Sequence, residues 1–213
     1  MVPYLNIMTR IEGHPHDDLL REKGYGGHPT LAFLDPEGNV LARPRERTVE
    51  SFERTLVAIG EYAALEARVA AGETGLAYDR FILEYELMKL RGSAVTRTGK
   101  ALRGLDEAQQ AKVDAIVLGV EVSDLILKSL GGPAEVNAAG KRMLEILDGG
   151  RCPDMVKDAN AWSVLARYGE STKNRALLLR CSKGLAENFP DDERMQNWAR
   201  SLAKKAKELG TSL

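Results

Sequence analysis

The spacing of apolar residues changes near residue 58, and this change constrains the fold more than any other feature of the chain. Up to residue 57, short apolar runs of strand length alternate with short helical segments and with turns rich in Gly, Pro and Asp. From residue 58 onward, apolar residues recur at helical spacing, and glycines separate the segments. The sequence therefore predicts an α+β fold class, with a strand-containing domain over residues 1–57 and an all-helical domain over residues 58–213.

The first 57 residues predict the order strand, helix, strand, hairpin turn, strand, helix. The segments that predict these elements are Val2–Met8, Asp17–Lys23, Thr30–Leu34, Asp35–Asn39, Val40–Ala42 and a helix capped by Thr48. The turn has a physical cause: Asp favours its first position, Pro presets the backbone of the second, and Gly can adopt a positive φ before the chain returns. We therefore expect Thr30–Leu34 to pair antiparallel with Asn39–Ala42.

The stretch GGHPTLAFLDPEGNVLAR, together with this element order, resembles the carboxy-terminal two-thirds of a thioredoxin-like domain. The resemblance covers about residues 1–65, and its most specific part runs from His28 to Val40. It implies an incomplete thioredoxin-like β-α-β-β-α unit in which Pro29 is cis and, with His28 and Thr30, forms the loop that faces the redox site of the family. A cis X-Pro bond costs only about 0.5–1 kcal/mol relative to trans, so packing can fix it.

The chain departs from this family at the residues that carry its chemistry. The family's first strand and helix, with their Cys-x-x-Cys motif, have no counterpart, and the two cysteines, Cys152 and Cys181, lie 29 positions apart in the helical half. The missing strand belongs in the middle of the family's sheet, so two strand edges stand open. Three arrangements can cover them: Val2–Met8 pairs with Thr30–Leu34, another chain supplies a strand, or this chain is part of a longer protein.

The helical half predicts helices joined by short turns, which pack as antiparallel hairpins in an all-α array. Residues 157–209 weakly resemble a tetratricopeptide repeat, because Trp162, Leu165, Ala166 and Pro190 occupy four of its characteristic positions. A large aromatic side chain at the first of these positions packs against the neighbouring helix. We therefore expect Trp162 to be buried between helices.

Three histidines and the two cysteines are the candidates for chemistry. His14 and His16 precede two aspartates, but loop histidines beside carboxylates are more typical of a solvated turn than of a metal site. His28 has no nearby thiol for which it could act as an acid or base, so a structural role in the loop is favoured. Cys152 lies near the start of a helix, where the helix dipole can lower a thiol pKa, whereas Cys181 fits a small core residue. We therefore assign no catalytic, cofactor-binding or metal-binding residues.

Charge and hydropathy exclude several classes of partner. Thirty basic side chains against thirty-one acidic ones give a net charge of −1, so no global basic field attracts nucleic acid. The basic residues Arg200, Lys204, Lys205 and Lys207 are interpreted as complementing the C-terminal dipole of the last helix. No run approaches the ~18 apolar residues of a membrane span, and MVPYLNIMTR lacks the features of a signal peptide. With so few cysteines, a cytoplasmic location is expected.

These observations lead to one functional hypothesis and one alternative from the enzyme class, beside a third interpretation, a small-molecule binder in the helical half, for which the sequence selects no ligand. The hypothesis is a non-catalytic protein without cofactors, in which a thioredoxin-like remnant and a helical array serve as an interaction or structural module. The alternative, from the enzyme class, is the downstream part of a thiol-disulfide oxidoreductase whose Cys-x-x-Cys segment lies upstream of this chain. Because open sheet edges recruit strands, we expect a homodimer or a protein partner that covers residues 2–8 or 30–34.

Overall fold

The computed structural model describes Glu22, residues 31–150 and residues 152–211. Several expectations lie outside the described residues: the strand at Val2–Met8, the cis bond at Pro29, the loop of His28 and Thr30, and the metal candidates His14 and His16. The helix expected at Asp17–Lys23 is described only at Glu22, which is helical.

The chain divides into two compact units, Met1–Leu90 and Arg91–Leu213. The described residues are mostly helical and include one two-stranded antiparallel sheet, which belongs to the first unit. Each unit has its own cluster of buried apolar side chains. Residue 57, where the strand-containing domain was expected to end, lies inside a helix of the first unit.

The hairpin of the first unit joins β1 (Phe33–Leu34) to β2 (Val40–Ala42), and the two strands pair antiparallel. Its turn forms as the sequence predicts. The side chain of Asp35 accepts a hydrogen bond from the backbone N–H of Asn39 at 2.7 Å, and Gly38 takes a φ of 81°. The expected antiparallel pairing is confirmed for the described strands.

Two helices complete the described part of the first unit, α1 (Val49–Ala70) and α2 (Ala77–Glu86). The side chain of Thr48 caps α1 by accepting a hydrogen bond from the N–H of Ser51 at 3.2 Å, as predicted. The helix that Thr48 caps continues without a break through Gly60 to Ala70. An interior glycine such as Gly60 costs only about 1 kcal/mol, which burial of one helix face outweighs.

Aromatic and aliphatic side chains hold the two helices against the hairpin. The rings of Phe33 and Phe52 meet edge to face with their centroids 5.5 Å apart. The buried members of this core are Phe33, Ala42, Ala58, Leu65, Leu76, Leu83 and Leu87. The rotation of α1 about its axis is therefore fixed by the residues that it buries.

Polar contacts tie α1 to α2. Nη2 of Arg80 lies 3.4 Å from a carboxylate oxygen of Glu66 on α1, and its Nε donates to Glu84 at 3.0 Å. The hydroxyl of Tyr62 on α1 donates to Glu84 on α2 at 3.3 Å, and burial raises the pKa of this tyrosine. These contacts bridge the two helices at their solvent-facing junction.

The second unit consists of helices joined by turns. They are α3 (Ser93–Ala101), α4 (Glu107–Lys128), α5 (Pro133–Asp148), a 3₁₀ helix (Pro153–Lys157), α6 (Ala159–Ser171), α7 (Arg175–Asn188) and α8 (Glu193–Thr211). The start of α4 is a capping box, in which two residues exchange hydrogen bonds. The side chain of Asp106 accepts a hydrogen bond from the backbone N–H of Gln109 at 2.8 Å. In return, the side chain of Gln109 accepts a hydrogen bond from the backbone N–H of Asp106 at 3.2 Å. Pro133 opens α5, as expected for a residue without a backbone donor.

Each helix from α4 to α8 packs against the next one along the chain. Trp162 of α6 is 3% exposed, and its Nε1 donates to the carbonyl oxygen of Val156 at 2.8 Å. The expected burial of this tryptophan is confirmed. Helical neighbours that pack in sequence order form an array, as the helical half of the sequence predicted.

Candidate interaction surface

Two glycines in the middle of helices set how closely the array packs. A Cβ atom added to Gly140 on α5 would lie 2.2 Å from Cβ of Tyr168 on α6. A Cβ atom added to Gly184 on α7 would lie 2.3 Å from Cη2 of Trp162. Carbon atoms pack at about 3.5–4.0 Å, so only glycine allows these helices to approach as they do. The sequence analysis missed both positions, although an isolated glycine inside a helical pattern is the signal that marks such a contact.

Polar contacts join alternate helices, α4, α6 and α8, into a first layer. Nη2 of Arg167 on α6 donates to Oγ of Ser129 at the end of α4, at 2.8 Å. Nζ of Lys205 on α8 donates to a carboxylate oxygen of Glu170 on α6 at 2.5 Å. The first helices of successive hairpins are thus neighbours.

The remaining helices, α5 and α7, form a second layer. The guanidinium of Arg180 on α7 pairs with the carboxylate of Asp148 on α5. Between the layers, Arg142 on α5 contacts both oxygens of Glu121 on α4, at 2.6 and 3.2 Å, and its pKa is raised by these hydrogen bonds. Two layers of alternating helices are the arrangement typical of helical-hairpin arrays.

One end of the first layer exposes two large apolar side chains. Leu127 and Leu130 are 65% and 74% exposed, and we call them the leucine pair. Ser129 between them is buried and accepts the hydrogen bond from Arg167. The two residues of the leucine pair therefore flank, in the sequence, a serine that is hydrogen-bonded to Arg167. Contiguous exposed apolar side chains mark many protein-binding surfaces.

The outward side of α8 is polar. Its exposed residues include Arg194, Asn197, Arg200, Ser201 and Lys204, while Leu202 and Ala206 are buried against the array. The last turn of the helix carries no basic residue, so the interpretation of the basic residues as partners of the C-terminal dipole is wrong.

The two thiols are free and lie in different settings. Cys181 is fully buried in α7, where loss of solvation raises its pKa to about 12. The position of Cys152 near a helix start would allow a lowered thiol pKa, but burial raises this pKa and outweighs a backbone hydrogen bond that favours the thiolate. The residue precedes a 3₁₀ helix of 5 residues, whose few aligned peptide dipoles provide little stabilisation of an anion. Neither thiol has the lowered pKa of a catalytic cysteine.

The described residues offer no other clear chemical site. Among residues 31–150 and 152–211, no three or more His, Cys, Asp or Glu side chains converge as metal ligands. A shallow surface depression is lined by residues 188–194, which are the last residue of α7, the connecting turn and the first two residues of α8. None of the helices in the described part of the chain combines the length and apolar character needed to cross a lipid bilayer.

Comparison with family models, with curated proteins and with solved structures finds no match to this chain.

Proposed function

We propose that this chain is a non-catalytic protein-interaction module. The observation that carries the proposal is the two-layer array of α4–α8, which presents the leucine pair at the end of its first layer. Arrays of this kind offer extended, rigid surfaces on which a partner can lie, because every helix is held by its neighbours in the sequence.

The thioredoxin-like resemblance forms part of the same proposal. The described hairpin, with its Asp35 turn and with α1 packed against Phe33, is consistent with the last strands and closing helix of such a domain. The raised pKa values of Cys152 and Cys181 support a role without thiol exchange. The array weakly resembles tetratricopeptide repeats, whose stacked hairpins support the same kind of function.

The partner is proposed to be a protein rather than a nucleic acid, and the location to be the cytoplasm. The net charge of −1 supports the first point, since nucleic-acid binding requires an excess of basic surface. The free thiols of Cys152 and Cys181 suit a reducing compartment. An acidic or apolar segment of the partner would complement the leucine pair and the neighbouring Arg167.

Direct binding to a purified partner tests the proposal. The full chain is used to capture proteins from its host, each captured protein is purified, and binding is titrated by calorimetry. The informative variant is Leu127→Asp with Leu130→Asp, which changes two exposed side chains and should leave the array folded. Leu179→Asp, at a 40% exposed leucine on the second layer, is the matched control.

We expect the double variant to weaken binding at least about tenfold and the Leu179 control to bind as the wild type does. Equal binding by all three proteins, or no purified protein that binds with a Kd below about 100 µM, contradicts the proposal. The enzyme alternative has its own test, the coding sequence before Met1. An in-frame upstream segment with Cys-x-x-Cys would replace the interaction module with a thiol-disulfide oxidoreductase.

A further inference from the structure

Charge is distributed unevenly along the chain. Residues 1–90 carry ten basic and fifteen acidic side chains, and residues 91–170 carry eleven of each. Residues 171–213, by contrast, carry nine basic and five acidic side chains. The net charge of −1 therefore conceals an excess of positive charge in the part of the chain that contains α7 and α8.

Three of these cations line the solvent side of α8. Arg200, Lys204 and Lys207 are exposed, and their spacing places them on one side of the helix over about 10 Å. We call these three residues the basic strip. Nη2 of Arg200 donates to the side-chain oxygen of Asn197 at 2.6 Å, which is a neutral acceptor. Within the part of the chain that the structure describes, no carboxylate pairs with Arg200 or Lys204.

Cations at the start of α7 extend the positive charge beyond the end of the basic strip. A Cβ atom added to Gly210, near the end of α8, would lie 3.1 Å from Nη1 of Arg175, so this guanidinium lies against the helix. Lys173, two residues earlier in the chain, is also exposed. The ion pair of Lys205 with Glu170 holds α8 beside α6, just before this turn. The positive surface therefore covers the second half of α8 and the adjoining start of α7.

Carboxylates at both ends of the basic strip limit the length of an anion that it can bind. Asp191, Asp192 and Glu193 come at the start of α8, and Glu193 shares the side of the helix that carries Arg200. Glu208 follows the strip at its other end. A polyanion much longer than about 10 Å, such as a nucleic acid, would meet these carboxylates and be repelled. The strip therefore favours a short anionic segment.

The other side chains of α8 narrow the choice of ligand further. Trp198, the aromatic residue of this helix, is half-buried against the array, so α8 offers no exposed ring on which nucleic-acid bases could stack. None of the large apolar side chains in Glu193–Thr211 is exposed, so the helix has no group to insert into a lipid bilayer. A short acidic stretch of polypeptide fits these constraints.

We propose that the basic strip binds a short acidic segment of a partner protein, with several Asp or Glu side chains within about 10 Å of one another. The guanidinium of Arg200 can pair with a carboxylate through two hydrogen bonds, and the ammonium of Lys204 pairs with the next one. The inference goes beyond the proposed function, since the strip shares no residue with the leucine pair and selects its ligand by charge.

The experiment measures binding of the full chain to an acidic peptide by fluorescence anisotropy. The probe is a labelled oligoglutamate of about eight residues with blocked ends, which is long enough to cover the strip. We expect a Kd below about 100 µM at low salt that rises with ionic strength. Arg200→Glu with Lys204→Glu should raise this Kd at least about tenfold, because like charges then face the peptide.

The matched control is Arg97→Glu with Lys112→Glu, which makes the same change in net charge at two exposed residues of α3 and α4. The control should bind the peptide as the wild type does, and circular dichroism confirms that both double variants remain folded. No binding of the peptide, or equal loss of binding in both double variants, would overturn the proposal.

Two other anions test whether the ligand is a protein. A labelled single-stranded oligothymidylate of the same length and vesicles of phosphatidylserine with phosphatidylcholine are titrated under the same conditions. We expect both to bind more weakly than the peptide. Tighter binding of the oligonucleotide or of the vesicles than of the peptide would also overturn the proposal. None of these outcomes bears on binding at the leucine pair.

Discussion

Replacing Gly184 with alanine tests the packing of the array at the close contact between α6 and α7. The added methyl group would lie 2.3 Å from Cη2 and Cζ2 of Trp162. The indole ring cannot simply move away, because it is buried and its Nε1 donates to the carbonyl of Val156 at 2.8 Å. To reach an ordinary carbon–carbon distance of about 3.5 Å, the ring or helix α7 must move by more than about 1 Å.

Three contributions set the size of the effect. Overpacking of a well-filled site costs about 1–3 kcal/mol. Displacement of the indole also weakens a hydrogen bond worth about 0.5–1.5 kcal/mol. Against these costs, alanine is about 0.8–1.0 kcal/mol more favourable than glycine inside a helix. We therefore expect Gly184→Ala to lower the free energy of unfolding by about 2 kcal/mol.

Urea unfolding followed by tryptophan fluorescence reports on the correct unit, because Trp162 and Trp198 both lie in the second unit. The matched control is Gly119→Ala, in the interior of α4, where an added Cβ meets nothing within 4 Å. The control should gain up to about 1 kcal/mol from helix propensity alone. Equal stabilisation of both variants would refute the close contact between α6 and α7.

Three further predictions concern single side chains. Trp162→Ala should cost about 3–5 kcal/mol in urea unfolding, and a near-neutral shift would indicate an exposed tryptophan. The side-chain and backbone hydrogen bonds from Asn39 lower the pKa of Asp35. The ionised carboxylate therefore stabilises the fold at any pH above the unfolded-state pKa of Asp35. This stabilisation is lost as the pH falls through the lower, folded-state pKa. An NMR titration should show that depressed midpoint, and Asn39→Ala should raise it; an unchanged midpoint contradicts the role of Asn39. In the folded protein at about pH 8, Cys181 should not react with Ellman's reagent, and Cys152 should react more slowly than after unfolding; rapid reaction of Cys181 would contradict its burial.

Signals contained within a few residues predicted the local structure. The turn at Asp35 and the cap at Thr48 both depend on hydrogen bonds or dihedral preferences of adjacent residues. The side chains that decide each of these features lie next to the backbone they affect. Such features can be read from a sequence without knowledge of the tertiary fold.

Features that depend on distant residues could not be predicted in the same way. The continuity of α1 through Gly60 follows from the burial of Ala58 and Leu65, which a local glycine signal does not contain. The need for glycine at 184 arises only when Trp162 arrives from another helix. The raised pKa of Cys152 likewise reflects its surroundings in the fold, which outweigh the effect expected from its place before a helix.

Calorimetric titration of a purified partner with the full chain tests the proposed interaction surface most directly. We expect the wild-type chain and Leu179→Asp to bind with the same Kd, and the double variant Leu127→Asp with Leu130→Asp to bind at least about tenfold more weakly. Equal binding by all three proteins would contradict the account.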